Sequence, residues 1–231
     1  MRYLSSPLVA FVSVTLAAVA PARAEILVGD ASDLTGPVAW AGEQALVGTE
    51  LAVADLNAKG GVLGEQMRVI SVDDACDAEQ AVAAARKLIS EGVRFVVGHM
   101  CSGAAIPTAP LYEAAGVIVI SPSATNPRLT EEGRANVFRV VGRDDQQGII
   151  AGNHLADQWD EKKIAILHDG ALYGRGLAEE TKKTLNARGV REAIFEQITP
   201  GLVDYATSSR RYRQRTSMFS ITPAILRKRA Y

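Results

Sequence analysis

A parallel α/β sheet with helices on its faces is what this sequence predicts, and three observations lead there. From Glu25 onward, short apolar runs of strand length alternate with helix-length amphipathic segments. Each run opens into glycine, aspartate, serine or threonine, the residues that end strands. The unit is most compact between Arg94 and Pro127: Phe95-Val96-Val97, a helix-length segment over 104–115, Gly116, then Val117-Ile118-Val119-Ile120. Strand, helix, strand at this spacing is a right-handed crossover between parallel strands.

The elements follow in order. Residues 25–30 are a first strand, and Leu34-Thr35-Gly36-Pro37 a turn. A helix is expected over 42–59, with Ala45, Thr49, Ala52, Val53 and Leu56 on one apolar face and Gly60-Gly61 ending it. Its small residues Ala45, Gly48 and Ala52 would let it lie close to the sheet. Residues 67–72 form a second strand. In the Asp73-Asp74-Ala75-Cys76-Asp77 segment that follows, a calcium loop's glycine and distal glutamate are missing, so no metal is expected. Asp77 reads instead as the cap of a helix over 78–91, whose inward face is Ala81, Val82, Ala85, Leu88 and Ile89. After the central crossover and a polar segment, 126–135, residues 136–141 read as a fifth, edge-like strand. Strand–helix repeated four times and closed by a strand describes a flavodoxin-like lobe.

A second unit of the same kind then begins. Its helix, 145–158, places Ile149, Ile150, His154 and Leu155 at helical spacing, and its strand covers 163–168. A loop over 169–176 leads into a helix over 176–188 with Leu177, Thr181, Thr184 and Leu185 inward, then a strand over 192–198. The expected organisation is a first lobe over 25–142, an incomplete second lobe over 143–205 and an aberrant basic tail from Ala206 to Tyr231.

Composition narrows the function. The formal net charge is −1, which gives no support for a nucleic-acid partner. The N-terminus reads as a secretory signal: Arg2, an apolar core from Leu8 to Ala20, and a small-x-small site at Ala22-Arg23-Ala24 with cleavage after Ala24. Its apolar run is short for a membrane span, and no second run of spanning length follows. Two cysteines in an exported chain point to one disulfide, Cys76 with Cys101, worth roughly 3–4 kcal/mol for a loop of this length. A nucleophilic Cys101 served by His99 lacks an evident orienting acid. No G-x-S-x-G elbow is present, and Gly174 and Gly176 complete neither a Walker nor a dinucleotide pattern. Neither an enzyme nor a cofactor is expected. The tail breaks the pattern: from Ala206 on there are six arginines, one lysine and no acidic residue. Permitted codons for Ser208 to Tyr231, read in another frame, encode strand-like and glycine-containing segments, so a frameshifted end is the expectation there.

The site is expected where the strands open. His99-Met100-Cys101-Ser102-Gly103 follows one strand of the central crossover and Ser121-Pro122-Ser123-Ala124-Thr125 the next. In open parallel sheets ligands bind at the carboxyl ends of the strands, and hydroxyls with free N–H groups at a helix start suit a carboxylate. Plain helix capping by Ser102, Ser123 and Thr125 is the competing reading.

In combination, Gly36-Pro37-Val38-Ala39, Ala54-Asp55-Leu56-Asn57-Ala58-Lys59-Gly60-Gly61, Asp73-Asp74-Ala75-Cys76-Asp77, Gly98-His99-Met100-Cys101-Ser102, Ser121-Pro122-Ser123-Ala124-Thr125 and the His168-Asp169 to Tyr173-Gly174 segment make the chain resemble the periplasmic branched-chain amino-acid (leucine-type) binding proteins of ABC transporters, of the type I periplasmic-binding fold. The resemblance runs from Glu25 to about Tyr205. It implies a periplasmic monomer that delivers a free amino acid to ABC permease subunits. It implies that Ser102 binds the ligand carboxylate and that Ser123, Ala124 and Thr125 hold the α-amino and α-carboxyl groups. Tyr173 would close from the second lobe and Trp40 would wall the side-chain pocket, one position away from the family's usual aromatic. The disulfide of Cys76 and Cys101 matches the family. An amide or aromatic-acid receptor of the same fold is the alternative. Because family members continue beyond this length, the expectation is a chain that folds its first lobe and binds amino acid weakly or not at all.

Overall fold

A computed structural model describes residues 25–132, 134–161, 163–201 and 220–221. The signal-like segment lies outside the described residues, and so does the basic tail apart from Ser220 and Ile221. Two parallel sheets organise the chain. The first contains β1 (Glu25–Ser32), β2 (Gln66–Asp73), β3 (Phe95–Gly98), β4 (Ile118–Ser121) and β5 (Val137–Arg139), in the order β2-β1-β3-β4-β5. That is the flavodoxin-like order, and β5 sits at the edge as expected. The second contains β6 (Ala165–His168), β7 (Ile194–Gln197) and β8 (Ser220–Ile221), in the order β7-β6-β8. β8 pairs in parallel with Ala165 and Ile166.

Six helices connect these strands: α1 (Ala39–Ala58), α2 (Ala78–Ser90), α3 (Ser102–Ala114), α4 (Arg128–Glu131), α5 (Asp144–Trp159) and α6 (Leu172–Ala187). α2 and α3 cover one face of the first sheet. Alternate strand residues Ile70, Val72, Val96 and Val119, with Val117 just before β4, meet Ala84, Ala85, Leu88 and Tyr112 there. The opposite face is different. Phe95, Ile118, Ile120 and Phe138 remain substantially exposed, because α1 packs on β1 and β2 only. The continuous apolar run over β4 predicts burial on both sides; among the described residues it is buried on one.

The helix faces also depart from periodicity. In α1 the buried residues are Gly42, Thr49 and Val53, while Gly48, Ala52 and Leu56 face outward. The close approach to the sheet belongs to Gly42, which touches the backbone of Asp33. In α5 the expected face fails for Ile149 and Ile150, both exposed, while His154 is an exposed helix histidine, as its place in the pattern allows. Gly148, Gly152, Leu155 and Ala156 point inward. A Cβ on Gly152 would fall 2.6 Å from Cβ of Thr184 and 2.7 Å from the Thr181 carbonyl oxygen. Backbone proximity to α6, which hydropathy cannot encode, therefore sets that face. The loop expected over 169–176 ends sooner, because α6 starts at Leu172. Asp169 accepts the Ala171 N–H at 2.9 Å, and Gly174 packs against the same carboxylate. The polar segment before β5 contains the single turn α4, and α3 begins at Ser102 rather than Ala104. It carries Pro107 and Pro110 in its interior, where burial of Ile106, Ala109 and Tyr112 outweighs the lost backbone bonds.

The carboxyl ends of β1 and β2 are tied through carboxylates. Asp33 accepts N–H groups of Gly36 and Val38, at 2.5 and 2.7 Å, and so orders the entry to α1. Asp73 accepts from the Leu34 N–H at 2.9 Å, the Thr35 hydroxyl at 2.5 Å and the Ala75 N–H at 2.9 Å. Partial burial alone would raise its carboxyl, but these donors outweigh it and hold it below the usual carboxylate range. Asp77 caps α2 as expected, accepting from Glu79 and Gln80. The Cys76–Cys101 disulfide is present, with 5.4 Å between its Cα atoms.

Two outcomes follow from this framework. Replacing both cysteines by serine should lower the unfolding free energy by about 3 kcal/mol, read from urea denaturation. A depressed folded value for Asp73 contributes stability above the unfolded value that is lost as pH falls. Asp73→Asn should therefore lower the melting temperature at pH 7, and its deficit against the parent should shrink below about pH 4.

Candidate ligand-binding site

The candidate site is the mouth above β3 and β4, and a buried network builds its floor. Asp74 and His99 are both fully buried, with 2.6 Å between Asp74 Oδ2 and His99 Nδ1. Asp74 Oδ1 also accepts the Cys76 N–H at 2.9 Å. His99 Nε2 lies 3.1 Å from the Tyr112 hydroxyl. Burial, with help from the Asp74 carboxylate, pushes the Tyr112 phenol well above its ordinary range, so it stays protonated. The phenol O–H and Nε2 share one hydrogen bond, while Nδ1 faces the Asp74 carboxylate. His99 thus does have an orienting acid, which sequence spacing does not show. Cys101 is nevertheless in the disulfide, so no free thiol stands beside it.

The network continues to β4. Ser121 Oγ donates to the His99 carbonyl at 2.8 Å and accepts the Ala124 N–H at 3.0 Å. Ser102, the first residue of α3, is 2% exposed, and its Oγ accepts the Asn126 N–H at 3.3 Å. Ser102 and the Ala124-Thr125-Asn126 segment are therefore brought together from neighbouring strands. Ala124 is buried, Thr125 is half-buried with its hydroxyl beside Asp144, and Ser123 is exposed at the edge. Trp40 stands second in α1 with 64% of its surface exposed.

Three residues missing from the sequence reading organise this mouth. Arg139 donates to the carbonyls of Ala124, Asn126 and Pro127, at 3.1, 2.9 and 3.3 Å, and to Thr130 Oγ1 at 2.6 Å. It clamps the whole loop after β4. Asn126 donates to the Leu172 carbonyl at 3.0 Å and so joins that loop to the start of α6. Asp144, first residue of α5, is fully buried, and its N–H donates to the Thr125 carbonyl at 3.0 Å. A basic residue inside an otherwise apolar strand was the only sequence signal available for Arg139, and Asp144, in a run of polar residues, carried none. Tyr173, second in α6, is half-buried; burial raises its phenol, and the carboxylates of Asp144 and Asp169 push the same way. Ser102, Thr125 and Tyr173 thus share one neighbourhood, lined by hydroxyls and main-chain groups. A separate shallow groove of about 400 Å³, lined by Ser71, Asp73, Gln80 and Lys87 among others, lies away from it at the β2–α2 edge.

Among the described residues no helix is long and apolar enough to cross a membrane, and no three His, Cys, Asp or Glu side chains cluster as metal ligands would. Comparison with known proteins agrees with the fold and places it. The chain is 46% identical over 191 residues to "Leu/Ile/Val-binding protein homolog 2" of Brucella abortus, covering 83% of this chain and 52% of that protein. It spans about half the length of the curated relatives it matches. Among solved structures it resembles the branched-chain amino acid transporter substrate binding protein LivJ from Streptococcus pneumoniae in complex with isoleucine, with TM-score 0.72, 26% identity, and 85% and 57% of the two chains covered. An ABC-transporter solute binding protein from Rhodopseudomonas palustris in complex with 3,4-dihydroxy benzoic acid matches equally well, with TM-score 0.72, 26% identity, and 86% and 55% covered. The model of the periplasmic binding protein family matches residues 25–215, and the chain belongs to that family.

Proposed function

We propose that this chain is an extracytoplasmic solute-binding component of an ABC uptake system, and that its ligand is a free amino acid of the branched-chain type. The observation that carries this reading is the meeting of Ser102 and the Thr125 loop at one mouth, with Tyr173 opposite. A free amino acid is a zwitterion. Its recognition needs oriented donors for the carboxylate and acceptors for the ammonium, replacing hydration without adding a large net charge. Hydroxyls and main-chain groups supply both. Ser102, at the start of α3, takes the carboxylate through its O–H, since its oxygen already accepts from Asn126. Ser123, Ala124 and Thr125 offer carbonyl and hydroxyl oxygens to the ammonium, Tyr173 covers the ligand, and Trp40 borders its side chain.

The same reading assigns export by cleavage after Ala24, a periplasmic location, a monomeric state and delivery to a permease. It assigns residues 25–142 to a first lobe and 143–205 to a second, with the ligand between them. A second reading, an aromatic-acid receptor, draws on the exposed Trp40 and on the likeness to a protein solved with a dihydroxybenzoic acid.

Thermal unfolding in the presence of candidate ligands separates the two. Leucine, isoleucine or valine at about 100 times its dissociation constant should stabilise the chain by about 2.7 kcal/mol, while 3,4-dihydroxybenzoate leaves the midpoint unchanged. The reverse pattern would replace the amino-acid reading by the aromatic one.

A further inference from the structure

Asp144 is fully buried, and neither carboxylate oxygen has a hydrogen-bond partner among the described residues. It also begins α5, where the chain leaves the first sheet for the second. A buried carboxylate without a partner is costly, by more than any single hydrogen bond contributes. Four groups surround it. The Thr125 hydroxyl, itself buried and with no other partner among the described residues, faces it. The Arg139 guanidinium acts on it, but the Arg139 terminal nitrogens are already directed at three carbonyls and Thr130. Asp145 repels it, and is itself paired with Arg143. The Tyr173 phenol feels its charge from the α6 side. Burial raises the Asp144 carboxyl above the usual range, with Thr125 and Arg139 opposing part of that push.

We propose that Asp144 is a positioning residue for ligand selection: its carboxylate accepts a hydrogen bond from the Thr125 O–H, turning the Thr125 oxygen's lone pairs toward a cationic ammonium in the mouth. The inference rests on the reading of this mouth as an amino-acid site. An O–H donor can donate once, and a threonine whose proton is bound below presents lone pairs above. The negative charge beneath it strengthens acceptance from an ammonium and adds nothing for a ligand that carries only a carboxylate. Asp144 therefore selects α-amino acids against carboxylic acids of the same shape.

The test compares leucine with 4-methylpentanoate, which is leucine without its amino group, by calorimetric titration of the chain and its Asp144→Asn variant. The expected result is that Asp144→Asn weakens leucine about tenfold or more and leaves 4-methylpentanoate within about twofold. Its unliganded melting temperature should equal or exceed the parent's, because an uncompensated buried charge has been removed. A purely structural residue would lose both ligands together and melt earlier. Equal loss of the two ligands, or unchanged leucine affinity, overturns the proposal. Should Asp144→Asn not fold, Asp144→Ser carries the same comparison, with loss confined to leucine expected and parallel loss contrary to it. If the parent chain binds 4-methylpentanoate as well as leucine, the selection is absent and the inference fails while the site stands. If it binds neither, the amino-acid reading itself falls and takes this inference with it.

Discussion

The double tie between the ends of β2 and β3 is the constraint on which the rest of the site depends. Cys76 and Cys101 join the two loops covalently, and two residues earlier Asp74 and His99 join them through a fully buried bond. The two ties fail differently. The disulfide mainly limits the unfolded chain. The buried pair acts in the folded state, where removing one partner strands the other without water. From His99 the constraint passes to Ser121 and then to the Ala124 amide, and from Cys101 to Ser102 and the Asn126 amide. Two routes thus converge on one loop, and their agreement sets where the hydroxyls stand.

That loop is held from below as well. Arg139, at the sheet edge, gathers three of its carbonyls, and Asn126 passes the position on to α6. The arrangement suits a binding protein. A site that presents its groups without rearranging does not lose binding free energy to ordering them. Main-chain and hydroxyl groups around Thr125 are preorganised in this sense, and Tyr173 stands nearby at the start of α6. The bare face formed by Phe95, Ile118, Ile120 and Phe138 lies outside this scheme and exposes apolar area that a covered parallel sheet would bury.

Much of the architecture was legible from local pattern. Apolar runs followed by strand-ending residues marked seven strands, and Asp77 announced the start of α2. The failures share a cause. Ile149 and Ile150 read as inward because hydropathy was the only guide, yet Gly148 and Gly152 face α6 because a Cβ would strike its backbone. Gly174 read as a loop glycine and proved to be a close approach to Asp169 within a helix. Glycine signals that space is short but not whether a turn or a neighbour shortens it. Arg139, Asn126 and Asp144 escaped notice for a related reason: each acts on a residue distant in sequence, and nothing in its own neighbourhood reveals the partner.

By itself the sequence determined the alternation of strand and helix, the cysteine pair and the rim on which serine and threonine gather, because these rest on chemistry within a few residues or on period. Only the tertiary structure decided which hydroxyls meet. Ser102 reaches Asn126 across 24 positions, His99 reaches Asp74 across 25, and Asn126 reaches Leu172 across 46. Such bonds exist because parallel strands lie side by side, and strand order is a property of the sheet rather than of any segment within it.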